Sequence, residues 1–341
     1  MVQEQDWTQV VAAATRAPSI HNTQPWRFVA GPDRLELHLD PDRSLPVLDP
    51  TGRQQVISCG IAVEFAVVAL AARGLATEVD PVPDPADPGH LATVRITGSV
   101  DAPADDRALA AAIERRHTVR APFEPRTVPD DLVERLQAEA AGYGAWVKPI
   151  AGEDEEIATV LLTSRAEEIE QGDPDYLAEL ERWLRTDPAA VDGVPTDAVP
   201  SGDPHERASN WLVRDFVAGQ RDPHRFRVAG DPAAPPPEVE RPAVVLMGTH
   251  GDDRVAWVLA GRAVGRVLLR ITAAGLAASP LTQALDWPAT RVRMRAQLSL
   301  VGHPQMLLRL GYPRQPGEGE PAPPVSGRRP VQDVLSFEPT G

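Results

Sequence analysis

Cysteine is almost missing from this chain of 341 residues: Cys59 stands alone, so no internal disulfide can form. A single cysteine suits a reducing compartment, and the cytoplasm is the expected location; its ordinary use is as a small buried apolar side chain. Long uninterrupted apolar runs are also lacking. The two strongest, 61–72 and 255–280, are broken by Glu64 and by Arg262, Arg266 and Arg270, so neither is expected to span a bilayer. The opening Met-Val-Gln-Glu-Gln-Asp-Trp carries acid and no apolar h-region, so no secretory signal is expected. Positive charge is in deficit, 34 Lys and Arg against 49 Asp and Glu, for a net charge of -15. Such a surface repels phosphate backbones and makes nucleic acid an unfavourable partner, while a small phosphate would need a local basic pocket. The eight histidines show no His-x-x-x-His or His-Glu-x-x-His spacing, and no metal is expected. Gly-x-x-x-x-Gly-Lys, Gly-x-Ser-x-Gly and Gly-x-Gly-x-x-Gly are absent, which removes P-loop kinases, nucleophile-elbow hydrolases and a dinucleotide fingerprint from consideration.

What remains is a globular composition, 42% hydrophobic and 24% charged, that needs neither disulfide nor metal to fold. The length accommodates two domains, or one domain built from two similar halves. In the first half, Val10, Val11 and Ala14 recur at helical spacing within 7–17, and Pro18 halts the helix. Strands are expected over 24–29 and 34–39, joined as a hairpin through Gly31-Pro32. Residues 60–74 form an all-round apolar, hence buried, helix. A Pro/Asp-rich loop over 81–88 precedes a strand over 91–97. The second half offers a helix over 105–117, another opening at Thr127, a strand over 142–150 and one or two amphipathic helices over 154–185. The Pro-rich stretch 186–242 has little periodicity, but Trp211, Leu212, Val213, Phe216 and Phe226 favour an ordered flap over a free linker. A strand over 243–247, a second long apolar helix over 256–278 and a strand over 305–312 complete the chain, so helix, buried helix and strand recur in both halves.

Three segments carry chemistry. Arg115, Arg116, His117, Thr118 and Arg120 end a helix, where guanidinium forks and a hydroxyl can hold a phosphate dianion. The same cluster also fits a solvated basic face paired with Glu114 and Glu124. Ser19, Asn22, Thr23 and Gln24 lie between a helix and a strand, placed to reach the polar edge of a heterocycle or simply to make a turn. Ser279-Pro-Leu-Thr-Gln follows the second buried helix in the same manner.

Taken together and in this order, the segments resemble the nitroreductase superfamily, most closely its Acg branch of flavin-binding oxidoreductases, from about Trp7 to Val334. The resemblance implies an α+β fold in which each half is a mainly antiparallel sheet flanked by helices. It implies FMN as cofactor, with Arg116, His117, Thr118 and Arg120 gripping the phosphate. Pro18, Ser19, Ile20, Asn22 and Gln24 match a loop that lies against the isoalloxazine and comes from the opposite subunit in that superfamily. Pro280, Leu281, Thr282 and Gln283 match contacts near the flavin N5 and O4, and Arg328 and Arg329 match a basic pair that closes on the phosphate. NAD(P)H and a small aromatic acceptor, nitro compound or quinone, are the implied partners, and no side chain is required as a catalytic acid or base.

Each half keeps only part of this pattern. The first half, 1–100, has the Pro-Ser-x-x-Asn loop without the basic motif; the second, 101–185 with 243–341, has the basic motif without the loop. A monomeric, single-chain pseudo-dimer holding one flavin is therefore expected, with 186–242 as a flap over it. Such a flap also opens the alternative of a flavin-sequestering protein with little reductase turnover. A flavin-free interaction scaffold is the reading from a different class, and it predicts colourless protein.

Overall fold

The computed structural model describes residues 3–196, 211, 239–314 and 326–339. Helix α1 (Glu4–Ala14) turns Trp7, Val10, Val11 and Ala14 inward, and the Trp7 indole donates to the Gly31 carbonyl at 3.0 Å. That bond fixes the helix to the turn of the hairpin formed by β1 (Trp26–Ala30) and β2 (Arg34–Leu39), whose register pairs Trp26 with Leu39 and Ala30 with Leu35. Helix α2 (Arg53–Ala71) follows; its first turn is held by Asp49, whose carboxylate accepts the Gln55 N–H at 2.9 Å. Next come β3 (Leu75–Pro81) and β4 (His90–Ser99).

The second half opens with α3 (Ala104–Arg115), α4 (Asp130–Ala141) and β5 (Ala145–Pro149). Helices α5 (Glu153–Gly172) and α6 (Pro174–Glu181) and the short strands β6 (Leu184–Arg185) and β7 (Val194–Pro195) continue it. It closes with β8 (Ala243–Thr249), α7 (Arg254–Ala273), β9 (Ala277–Pro280), α8 (Gln283–Asp286), α9 (Pro288–Gln297), β10 (His303–Gly311) and finally β11 (Leu335–Phe337).

Two mixed layers result. One sheet has the order β11-β1-β2-β4-β3, antiparallel except for the parallel β11; the other is antiparallel throughout, β5-β8-β10-β9. Helices α2 and α7 pack against each other between them, and one apolar core runs from Trp7 and Phe28 through Phe65 to Val258, Leu269 and Leu308. A second cluster, with Leu162, Leu281 and Met294, fills the space under α5, α8 and α9. The helix pair approaches closely because Gly60 and Gly261 meet there: a Cβ on either would strike the other glycine's Cα and a backbone carbonyl of the opposite helix. Beside that contact, the buried Glu64 of α2 binds Arg262 at 3.1 Å and accepts the Tyr143 hydroxyl at 2.5 Å. Cys59 is buried, as its type suggested, with its thiol directed to the Pro25 carbonyl.

Several expectations shift. The first apolar helix begins at Arg53 rather than near residue 60, because Arg53, Gln54, Gln55 and Ser58 are buried as part of it. The second ends at Ala273, not at 278: Gly275 takes φ +80°, and 277–280 is drawn into the sheet by pairing with β10. Strand β3 and helix α9 were not foreseen. Of the stretch 186–242, residues 197–210 and 212–238 lie outside the described residues, and with them the core of the expected flap. Among the described helices α2 is long and apolar enough to cross a membrane, yet its side chains are spent on the interior.

Candidate active site

The loop between α1 and β1 is held in an unusual shape. His21, Asn22 and Gln24 adopt φ of 45°, 52° and 51°, the left-handed region that non-glycine residues enter at a cost of about 1–3 kcal/mol. Cross-ties hold it there. The Ser58 hydroxyl on α2 accepts the Ile20 N–H at 3.1 Å, and the Ser19 hydroxyl accepts the Gln24 N–H at 2.9 Å. The Asn22 amide donates to the carbonyls of Gly193 and Gly327, and Gln24 donates to Val191 at 2.8 Å while accepting the Arg329 N–H at 2.8 Å.

This loop forms one wall of a two-part cleft. The larger compartment, about 790 Å³, has an apolar floor of Ile61 from α2, Val264 and Leu268 from α7 and Met306 and Leu308 from β10. Pro18, Ser19, Ile20 and His21 border it on one side, Pro280, Thr282 and Gln283 on another, and Gln54 and Ser58 add a polar edge. Gln283 is 1% exposed, and both its amide nitrogen and its amide oxygen are buried without a partner among the described residues. Such a group is destabilising until something bonds to it.

Pro18, Ser19, His21, Thr118 and Arg120 are shared with the second compartment, about 700 Å³, which is cationic. Arg16, Arg116, His117 and Arg328 line it, and among the described residues no carboxylate does. Arg116 is the C-cap of α3; burial, then Arg328 and Arg16, push its pKa down to about 9, and its Nε is buried without a partner among the described residues. Burial and Arg16 push Arg328 down to about 10, and its Nε likewise has no partner among the described residues. Guanidinium does not surrender its proton near neutrality, so these depressed values express desolvation and mutual repulsion that an anion would relieve. Thr118 is set in place by a bridge to Ala278 of β9, with the Val119 N–H on the Ala278 carbonyl at 3.2 Å. The loop after Arg120 is pinned from below: the buried pair Arg309 and Glu240, 2.5 Å apart, binds the Ala121 carbonyl and the Phe123 N–H.

The structure thus brings Pro18, Ser19, Ile20, Asn22, Arg116, His117, Thr118, Arg120, Pro280, Thr282, Gln283 and Arg328 around one cleft. Three other candidates do not line it. Leu281 is fully buried in the cluster under α8, Gln24 is a brace for the loop, and Arg329 bonds to Asp40 and to the Gln24 carbonyl. Sequence reasoning missed Arg16, His21, Gln54 and Ser58. Residues 54, 58 and 61 form a stripe along one face of α2, a periodicity that points to the last two polar positions once the helix is started at Arg53. Arg16 sits a hundred positions from Arg116, and no local spacing connects them.

No protein-family model matches the chain. Relatives from Mycobacterium tuberculosis (strain ATCC 25618 / H37Rv) align with nearly all of it. "Putative NAD(P)H nitroreductase Rv3131" is 39% identical over 329 residues, covering 96% of this chain and 90% of the relative. "Putative NAD(P)H nitroreductase acg" is 32% identical over 328 residues, covering 95% of this chain and 93% of the relative. Among solved structures, the FMN-dependent nitroreductase NfnB from Mycobacterium smegmatis, in complex with NADPH, superposes with a TM-score of 0.32 at 20% identity, over 62% of this chain and 95% of that one.

Proposed function

The chain belongs to the NAD(P)H nitroreductase family that includes Acg, and from that premise we propose that its cleft binds one FMN and that the holoprotein is an NAD(P)H-dependent reductase of nitro or quinone acceptors. The observation that carries this reading is the joining of an apolar compartment, edged by an amide with no partner among the described residues, to a cationic one that no described carboxylate lines. A planar heterocycle with a phosphate tail has that same division of chemistry.

The residues fit the cofactor in both compartments. Arg16, Arg116 and Arg328, with the Thr118 hydroxyl, would hold the phosphate, where charge-assisted bonds from guanidinium forks are strongest. Val264, Leu268, Met306 and Leu308 would cover the ring and exclude water, and the Gln283 amide would meet its polar edge. FMN, when bound, supplies the redox centre that accepts a hydride equivalent from reduced nicotinamide and returns electrons to the acceptor. The protein's share is to bind, orient and bias that group. Preorganised donors beside developing negative charge act without reorganisation, which is the role given to Gln283 and Arg120. No side-chain acid or base is assigned.

The cleft draws on both halves of the chain, α2 and the Pro18 loop from the first, α3, α7 and β9 from the second. This supports the reading of a single-chain pseudo-dimer, with the α2 and α7 seam in the place of a subunit interface and one cofactor per chain. A second reading has its own observation. Residues 191–194 sit against the strained loop at the edge of the cleft, where Val191 and Gly193 accept bonds from Gln24 and Asn22 and Val194 lines the cationic compartment. A chain that continued from there over the cofactor would suit flavin storage with slow turnover. Steady-state NADPH oxidation with a nitroaromatic acceptor, on the yellow full-length protein and on a variant lacking 197–238, decides between them. Fast turnover by the full chain supports the reductase, and turnover that emerges only after the deletion supports sequestration. Purified protein without flavin absorbance, which does not take up added FMN, overturns both.

A further inference from the structure

The outer face of the first sheet, away from the cleft, gathers a second set of ligating groups. The β2 to β4 register sets His38 opposite His90, and their imidazoles stack with centroids 4.4 Å apart and planes 23° from parallel. Glu36 lies two residues before His38, and so on the same face of β2. One donor atom from each of the three lies within 4.8 Å of the others. The carboxylate is already oriented: Arg34 Nε holds Oε1 at 3.0 Å, and Oε2 faces His38 Nε2 at 3.4 Å. The rings have outer partners as well, Asp87 3.9 Å from His38 Nδ1 and the Thr93 hydroxyl 3.0 Å from His90 Nε2.

We propose that Glu36, His38 and His90 bind a divalent transition-metal cation, with Zn²⁺ the ion whose preferences they match. Two imidazoles and a carboxylate are zinc ligands, and three of them leave a fourth position for water. Ligand bonds near 2.1 Å require donor atoms roughly 3.4 Å apart in a tetrahedral set, which rotation of these partly exposed side chains supplies. Arg34, Asp87 and Thr93 take the place of the outer partners that fix ligand orientation in metal sites. The bound ion clips β2 to β4. No motif betrays the site, because its histidines meet only through strand pairing.

The test is calorimetric titration of chelator-treated full-length protein with ZnCl2, set against MgCl2 and against the His38→Gln/His90→Gln variant. One Zn²⁺ per chain, no Mg²⁺, at least tenfold weaker binding in the variant and a Zn²⁺-dependent rise in Tm confined to the wild type are expected. Asp87→Asn, outside the ligand set, is expected to weaken binding about tenfold. Absence of Zn²⁺ binding, or equal binding by the variant, overturns the site. Flavin content, read from the absorption spectrum, stays the same in all variants, so the outcome is independent of the cleft.

Discussion

Gln283 answers to two opposed demands. Its amide is buried with neither atom bonded to a described residue, a condition that costs about 1–3 kcal/mol of folding stability, yet the same amide borders the apolar compartment where a ring edge would lie. Replacement by leucine separates the two. Gln283→Leu is expected to raise the Tm of flavin-free protein while weakening FMN binding, the opposite signs being read by thermal melts and by fluorescence titration on the same preparations. A variant in which both properties fall together would place Gln283 in the packing alone. The cations obey a related logic. Arg116→Ala removes charge-assisted bonds worth about 1.5–3 kcal/mol, so FMN is expected to bind roughly tenfold to a hundredfold more weakly. Inorganic phosphate is expected to raise the Tm of flavin-free wild type more than that of the variant, since it relieves repulsion that Arg116, Arg328 and Arg16 impose on one another. Clustering of this kind was legible where the residues are neighbours in sequence, as in Arg116 to Arg120. Arg16 and Arg328 reach the same point from opposite ends of the chain, and only the tertiary fold makes them one group.

At the level of elements, apolar patterning located the hairpin and both buried helices, but it misjudged their ends. Polar residues that line an internal cleft look like surface in a linear reading, which is why apolar patterning starts the helix near residue 60 and not at Arg53. Ala277–Pro280 looks like the continuation of an apolar helix, and only its pairing with Leu308 to Gly311 makes it a strand. The helix seam yields a sharp prediction. Gly261→Val drives a branched side chain into the Ile57 carbonyl and Gly60, and overpacking of this kind costs about 1–3 kcal/mol or more. Urea melts are expected to show that loss, and cofactor binding is expected to fall as well, since Ile61 and Val264 line the cleft from the two helices. A second element-scale prediction concerns the start of α7. Burial raises the Asp252 pKa, but Arg291 at 2.8 Å on both oxygens, the Trp257 indole and Gln305 outweigh it and hold the carboxyl well below the usual range. A depressed folded value means stability that is present above the ordinary carboxylate pKa and lost as pH falls through the lower one. Asp252→Asn is therefore expected to melt below wild type at pH 7, by about 1.5–3 kcal/mol for bonds to a charged group, with the gap narrowing as pH falls below the ordinary carboxylate pKa and closing once the folded carboxyl is itself protonated.

Across the whole molecule, the C-terminal arm binds the two sheets to one site. The chain leaves β10 in the second sheet and returns as β11 beside β1 in the first, where the Phe28 N–H bonds to Val334 at 2.7 Å and the Glu338 N–H to Ala30 at 3.0 Å. On the way, Arg329 locks onto Asp40 and the Gln24 brace, which leaves the preceding Arg328 side chain in the cationic compartment. The arm thus does two things that can be taken apart. Arg328→Ala deletes the charge and keeps the strand, so FMN affinity is expected to drop roughly tenfold with little change in Tm. A chain ending at Arg314 loses the charge, the support for the strained loop and the cover on the β1 edge, an exposed edge being a template for association. It is expected to lose more affinity than the point variant, to melt lower, and to aggregate on concentration, as size-exclusion chromatography would report. If the truncated chain bound FMN as Arg328→Ala does and melted like wild type, the arm would act through its one guanidinium, and the loop's shape would depend on Ser58, Asn22 and Gly193 without it.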